Sequence, residues 1–297
     1  MNLDSLSLED LEKIDPNAPD KISPLKEVVL KTPKNSVRFP STFLELDRAM
    51  NGGFKDGDLV IISGVSGEGK TTLAQTLTYN LCLFNTPVLW FSYEVSLEHL
   101  DRKFTEMGIA DFYHVFVPEK NTTGKLDWVK QKIIESCAKY DTKIIFIDHI
   151  DFLSPMEAKT SDNQSIALKN IATELKSLAI ELGVVIVCMA HLRKLPDAKK
   201  EPDMQDIGYS AGIFQLADYV LIVWREKIEA KKSLAGGEVG ELTTGNSFVK
   251  IVKNRETGTL KVIKLYYDKS RLNQFYSLPP MPETDEPNNY RQGFIPD

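Results

Sequence analysis

The 297-residue chain is 42% hydrophobic and 26% charged, the make-up of a soluble protein able to bury a full core in one large domain or two modest ones. No apolar run approaches the roughly 18 to 20 residues that a membrane span needs, and the acidic start, MNLDSLSLEDLEKIDPNAPD, lacks the basic and apolar stretches of a signal peptide. The net charge of −6 does not exclude a nucleic-acid partner, because it sits at the ends: residues 1–32 carry 4 basic and 7 acidic side chains, residues 281–297 carry 1 and 4, and the span between them is neutral.

Residues 1–37 read as an arm. An amphipathic stretch from Leu6 to Ile14 is followed by Pro16, Pro19, Pro24 and Pro33, which break any longer helix. Two readings are open for it, a disordered tail and a helix that docks on a neighbouring subunit. Thr42 and Glu45 have capping-box spacing and open a short helix to Met50. Leu59–Ser63 is a strand, Thr71–Phe84 a helix, Val88–Ser92 the next strand, and a helix follows from about Ser96 to Met107. Leu126–Tyr140 carries apolar residues at helical spacing, and Lys143–Asp148 is an almost purely apolar strand, as expected when both faces are covered. Leu168, Ile171, Leu175, Leu178 and Leu182 mark one long helical stripe, and Val184–Ala190 is another buried strand. Tyr219–Trp224, Phe248–Val252 and Leu260–Tyr267 complete the sheet, the last two as an antiparallel edge pair. The alternation predicts an α/β fold over residues 38–278, with a mostly parallel sheet, helices on both faces and an antiparallel C-terminal edge. Residues 279–297, rich in proline, read as a flexible tail. Cys82, Cys137 and Cys188 are far apart, lack CxxC spacing and fall in apolar patterns, which predicts buried, reduced thiols and a cytoplasmic protein.

The most specific motif is Gly64-Val65-Ser66-Gly67-Glu68-Gly69-Lys70-Thr71, which matches GxxxxGK[ST] between a predicted strand and a predicted helix. Small residues let successive backbone N–H groups wrap phosphates, and the helix start adds its positive end. Lys70 would reach the β- and γ-phosphates of ATP, the Thr71 hydroxyl would ligate Mg²⁺, and Thr72 lies beside it at the same helix start. Asp148 ends its strand at the carboxyl edge of the sheet, where it would hold the magnesium; Asp151 competes for that role from three residues further on. Hydrolysis also needs a base to orient water. Glu94 lies just past the strand that follows the phosphate-loop helix, and that strand is expected beside the phosphate-loop strand.

Six segments in order resemble the motor domain of the DnaB-like replicative helicases. These are RFPSTFLELDRAMNGGFKDGDLVIISGVSGEGKTT, FSYEVS, IIFIDHIDFL, LKNIATELKSLAIELGVVIVCMAHLRK, DIGYSAGIFQLADYVLIVWRE and VKIVKNRETGTLKVIKLYYDKSRLNQFY. They cover roughly residues 38–276. The resemblance implies a RecA-like ATPase fold and an ATP-driven, ring-forming translocase on single-stranded DNA, most simply a hexameric replicative helicase. It implies that Glu94 is the catalytic base and His191 a sensor of the γ-phosphate. Arg255 would be an arginine finger offered to the neighbouring subunit's nucleotide, with Lys253 as its companion. Arg225 and Tyr267 would sandwich the base.

It also implies that DNA meets inner loops at about 154–164 and 193–212, the second carrying Arg193, Lys194, Lys199 and Lys200 among Asp197, Glu201 and Asp203. Gly208 and Phe214 stand where relatives often carry arginines, which sets the strength of DNA binding apart from the family pattern. The usual N-terminal primase-binding or primase domain does not fit into 37 residues, so the chain reads as a motor alone, with a separate primase or other replisome proteins as partners. Two rival readings stay open. One is a RecA- or KaiC-like ATPase forming filaments or regulatory rings, and the other is a helicase loader that binds nucleotide without translocating.

Overall fold

The computed structural model describes residues 22–27, 36–109, 114–122, 125–154, 161–191, 201–203, 211–229, 241–268 and 274–277. The chain divides into two units, Met1–Val37 and Arg38–Asp297. In the first, residues 25–27 form one helical turn closed by the Glu27 N–H donating to the Pro24 carbonyl. The predicted amphipathic stretch Leu6–Ile14 and the tail 279–297 lie outside the described residues.

In the second unit the elements run β1 (Arg38–Phe39), α1 (Leu44–Ala49), β2 (Phe54–Lys55), β3 (Leu59–Gly64), α2 (Lys70–Leu83), β4 (Val88–Ser92), α3 (Leu97–Glu106), β5 (Val115–Phe116), α4 (Leu126–Tyr140) and β6 (Ile144–Asp148). A 3₁₀ turn (Ile150–Leu153) leads to α5 (Ser161–Leu182), β7 (Val185–His191), α6 (Ala211–Leu216), β8 (Tyr219–Glu229), β9 (Glu241–Asn254), β10 (Lys261–Asp268) and β11 (Gln274–Tyr276).

Nine strands form one sheet in the order β11-β10-β9-β8-β3-β7-β6-β4-β5, and β1 and β2 form a separate antiparallel pair. From β8 to β5 all neighbours are parallel, while β8, β9, β10 and β11 pair antiparallel in sequence. The predicted antiparallel pair β9 and β10 is therefore present, with the three-residue strand β11 as the edge beyond it.

Period-two alternation of the buried strands creates two cores. Val60 and Ile62 of β3, Val88 and Trp90 of β4, Ile144 and Phe146 of β6, and Val185, Val187 and Met189 of β7 face one side. There they meet Leu73, Leu77 and Leu81 of α2 and Leu100 and Phe104 of α3. Leu59, Ile61, Leu89, Phe91, Ile145, Ile147, Ile186 and Cys188 face the other, against Val129 and Ile133 of α4 and Leu168, Ile171, Leu175 and Leu178 of α5. Both strand faces are covered, which is why these strands read as unbroken apolar runs. Cys82 and Cys188 are buried and Cys137 half-buried, all as free thiols, and burial pushes the Cys82 thiol up to about 12. Among the described residues no helix is long and apolar enough to cross a membrane.

Two local expectations are corrected. The start of α1 is not a Thr42/Glu45 capping box: its N-cap is Phe43, with no side-chain cap. Asp47 instead reaches back, accepting from the Ser41 N–H and hydroxyl (both 2.7 Å) and from the Thr42 N–H (3.0 Å), while Thr42 itself takes φ 67°. The strand β4 does not neighbour β3, because β7 and β6 lie between them.

Candidate active site

The loop between β3 and α2 follows the central strand of the nine-stranded sheet. Gly69 precedes α2 at φ 104° with no side-chain cap, so the first N–H groups of the helix stay open to an anion. A side chain at Gly69 would press on Phe275 (3.0 Å) and on the Arg225 guanidinium (3.3 Å), which fixes this position as glycine. Lys70 is buried, and its Nζ donates to the Gly64 and Val65 carbonyls (3.0 and 3.2 Å) and sits 3.2 Å from His191 Nδ1. Burial lowers the Lys70 ammonium pKa, and the carboxylates of Glu94 and Asp148 oppose that. Gly64 and His191 are register partners on β3 and β7, which is how the sheet sets this contact.

The Thr71 hydroxyl donates to Asp148 Oδ2 at 2.9 Å. Asp148 is fully buried at the end of β6, and its second oxygen, Oδ1, has no hydrogen-bond partner. Burial raises the Asp148 pKa, while the Thr71 bond lowers it. A buried carboxylate oxygen without a donor, beside a hydroxyl, is a hard oxygen pair suited to Mg²⁺. Asp151 lies in the 3₁₀ turn with Oδ2 2.9 Å from His149 Nδ1, an ion-pair distance without hydrogen-bond alignment.

Glu94 reaches the site although β4 is three strands from β3. Ser92 pairs in register with Asp148, and the Tyr93 N–H donates to the Asp148 carbonyl (2.8 Å), so the turn after β4 folds over the end of β6. Glu94 is exposed there, and one ligand atom each of Glu94, His149 and His191 lies within 4.8 Å of the others. The His191 pKa is lowered by burial first and then by the nearby Lys70.

A cavity of 330 Å³ opens beside this cluster, lined by Gly67, Lys70, Thr71, Thr72, Glu94, Arg225 and Tyr267. The Arg225 guanidinium lies 4.5 Å from the Tyr267 ring centroid, and its backbone N–H donates to Glu68 (2.9 Å). Val65 is half-buried at the base of the loop, and Ser66 lines the cavity. The sequence reading missed Gln75, His99 and Lys103, which also line it. His99 and Lys103 are one turn apart on α3, a spacing that could have flagged them.

Lys253 and Arg255 are not in this cavity. Tyr219 pairs with both Val60 of β3 and Asn254 of β9, so they lie level with the start of β3, and the cavity lies past its end, about 20 Å away for six extended residues. Lys253 Nζ donates to the Phe214 and Gln215 carbonyls (both 2.8 Å) at the end of α6, and Arg255 Nη2 donates to Gln215 O (3.1 Å). Arg193, Lys194, Lys199, Lys200 and Gly208 lie outside the described residues. Glu201 and Asp203 are described, and Lys250 engages both (2.9 and 3.5 Å). Phe214 is in the core at 1% exposure, so it is a packing residue and not a lost surface arginine.

The sequence profile of the DnaB-like helicase C terminal domain matches residues 39–110 and 106–277. The chain is 24% identical over 295 residues to the replicative DNA helicase DnaB of Rickettsia conorii, covering 84% of this chain and 59% of that protein. Among solved structures, the ATPase domain of G40P superposes with a TM-score of 0.67 at 22% identity, covering 86% of this chain and 96% of that one. A DnaB-like replicative helicase, solved with a view to its interactions with primase, also reaches 0.67 at 21% identity, over 90% of this chain and 69% of that one. Both share the RecA-like fold described above.

Proposed function

The chain belongs to the DnaB-like helicase C terminal domain family, and on that premise we propose that it is an ATP-driven, ring-forming translocase on single-stranded DNA that acts as a replicative helicase. The observation that carries this reading is the split of the machinery between two edges of one sheet. Lys70, Thr71, Glu94, Asp148 and His191 gather at one edge, and Arg255 with Lys253 stands at the other. A basic pair so placed serves no phosphate in its own chain. It fits a finger that completes the site of the next subunit, so turnover requires a closed assembly such as a hexamer.

In this reading the loop N–H groups and Lys70 bind the phosphates of ATP, and the base packs against the Arg225–Tyr267 pair from outside, since the 4.5 Å stack of the two leaves no room for the sandwich expected from the sequence. Thr71 and Asp148 would hold Mg²⁺, which when bound would neutralise charge on the β- and γ-phosphates. Glu94 accepts a proton from the attacking water. His191 Nδ1 lies 3.2 Å from Lys70 Nζ, so a Lys70 that turns to phosphate would give up this contact, and His191 would report phosphate occupancy to the segment after β7. That segment carries Arg193, Lys194, Lys199 and Lys200, proposed to follow the phosphates of one DNA strand without reading its sequence. Pairing of Glu201 and Asp203 with Lys250 supports this, since those two carboxylates are then less available to offset the loop's positive charge. A separate primase is the proposed protein partner, and the cytoplasm the proposed compartment.

The test is strand displacement on a forked duplex with ATP and Mg²⁺, with Lys70→Ala as control. ATP-dependent unwinding that vanishes in the variant is expected. Equal unwinding by Lys70→Ala, or none by the wild-type chain at any concentration, would overturn the reading.

A further inference from the structure

Glu94, His149 and His191 come from the carboxyl ends of β4, β6 and β7, three strands adjacent in the sheet. Each contributes one ligand atom, all within 4.8 Å of one another. The two imidazoles meet edge to face with ring centroids 4.4 Å apart. Nitrogen ligands on one zinc ion lie about 3.3 Å apart, given Zn–N bonds of roughly 2.0 to 2.1 Å. The exposed Glu94 side chain has the freedom to close the remaining gap. We propose that these three residues form a second metal site, separate from the Thr71–Asp148 oxygen pair and selective for Zn²⁺ or a similar borderline ion, whose occupation shuts the hydrolytic site.

Two features argue for it, and a third sets what it competes with. The donor set, two imidazoles and one carboxylate, suits zinc with an open position, whereas Mg²⁺ prefers oxygens alone. Asp151 Oδ2 stands 2.9 Å from His149 Nδ1, unaligned for a hydrogen bond but near enough to become, on a small turn of the ring, the outer partner that metal-bound histidines generally have. The site also has a built-in competitor. Lys70 Nζ lies 3.2 Å from His191 Nδ1, and an ammonium so close opposes a divalent cation. The ion and the Lys70–His191 contact therefore exclude each other. Occupation takes up Glu94 and His191 together, and on the proposed function those are the base and the sensor. The inhibitory consequence rests on that reading; the binding does not.

The test is titration of the full chain without nucleotide, using Co²⁺ absorption to report tetrahedral coordination and Zn²⁺ to displace it. One Co²⁺ per chain is expected, with at least a hundredfold loss of affinity in His149→Ala. Asp151→Asn should weaken binding about tenfold or more through the outer partner, and Lys70→Met should tighten it. Retention of the wild-type melting temperature by Asp151→Asn keeps the comparison valid should His149→Ala misfold. Absence of a tetrahedral spectrum, or affinity unchanged in both His149→Ala and Asp151→Asn, overturns the site. ATP turnover then separates the two claims. Zn²⁺ inhibition of the wild type that His149→Ala escapes, with its Mg²⁺-supported rate intact, supports the shut-off. Binding without inhibition overturns the shut-off alone, and a wild type with no turnover even when metal-free overturns the helicase reading and leaves the binding result standing.

Discussion

Arg255 Nη1 lies 3.3 Å from Asp218 Oδ1, and the other oxygen of the same carboxylate accepts from the Leu59 N–H (2.8 Å) and from Lys176 Nζ (2.5 Å). Asp218 is buried and Arg255 is half exposed. One buried carboxylate thus ties the first residue of the phosphate-loop strand to a guanidinium whose head faces outward. The pair is a stem and a presented tip: Asp218 and the Gln215 carbonyl fix the direction of Arg255 and leave solvent-facing N–H groups for a second molecule.

Truncation of that tip gives the first prediction. Arg255→Ala should bind a fluorescent ATP analogue as the wild type does, while turnover falls by about 10³-fold or more, the scale of an arginine finger. Doping the variant into wild-type protein should reduce activity more than in proportion, since each variant subunit spoils its neighbour's site. Proportional loss would place Arg255 outside the reaction.

A pH effect follows from Asp58, at the start of β3. Burial, helped by the nearby Asp218, raises its carboxyl from 3.8 to about 6. A raised carboxyl pKa means that folding favours the protonated form. Its stabilising contribution is full below about pH 4 and is lost as pH rises through 6, leaving a penalty of order 1 to 3 kcal/mol at pH 7. Asp58→Asn keeps an acceptor for the Lys55 N–H (2.7 Å in the wild type) and carries no charge. Chemical denaturation at pH 4 and pH 7 should show the variant gaining on the wild type only at the higher pH. An equal difference at both would contradict the assignment.

The cores were legible in the sequence wherever one stretch of chain carries its own period. β3, β4, β6 and β7 are apolar throughout because both faces are covered, and the α5 stripe names its own buried side. β1, β2 and β5 span only two residues each and β11 three, too short to leave a period. α6 begins at the end of the predicted 193–212 loop and runs through residues to which the sequence assigns no element, because its Gly212 and short length give no helical signal. The order of strands was misjudged between β3 and β4 because crossovers leave no trace in local pattern. The site divides the same way: the phosphate loop is contiguous and its spacing is its signature, whereas the union of Lys253 and Arg255 with the end of α6 exists only in the folded chain.

Phe214 gives a third prediction, opposite to the sequence expectation that its identity weakens DNA binding. It is packed in the core of α6 beneath the parallel sheet. Phe214→Ala should cost about 3 to 5 kcal/mol of stability through lost burial and the cavity left behind. The salt dependence of single-strand binding, measured on protein that remains folded, should keep its slope, because no phosphate contact is removed. A changed slope with unchanged stability would return Phe214 to the surface.

The last prediction concerns Glu94, which reaches the site by the turn of Tyr93 over Asp148 and not by strand adjacency. Only its carboxylate can take a proton from water; an amide of the same shape keeps the turn and the contacts. Glu94→Gln should therefore retain ATP affinity and assembly while turnover falls by roughly 10² to 10⁴-fold. With hydrolysis stalled and phosphates bound, Lys70 stays away from His191, and the protein should hold single-stranded DNA in ATP as tightly as the wild type does in a non-hydrolysable analogue. Rapid DNA release by the variant in ATP would mean that the contact between Lys70 and His191 does not report phosphate occupancy to the loop that follows β7.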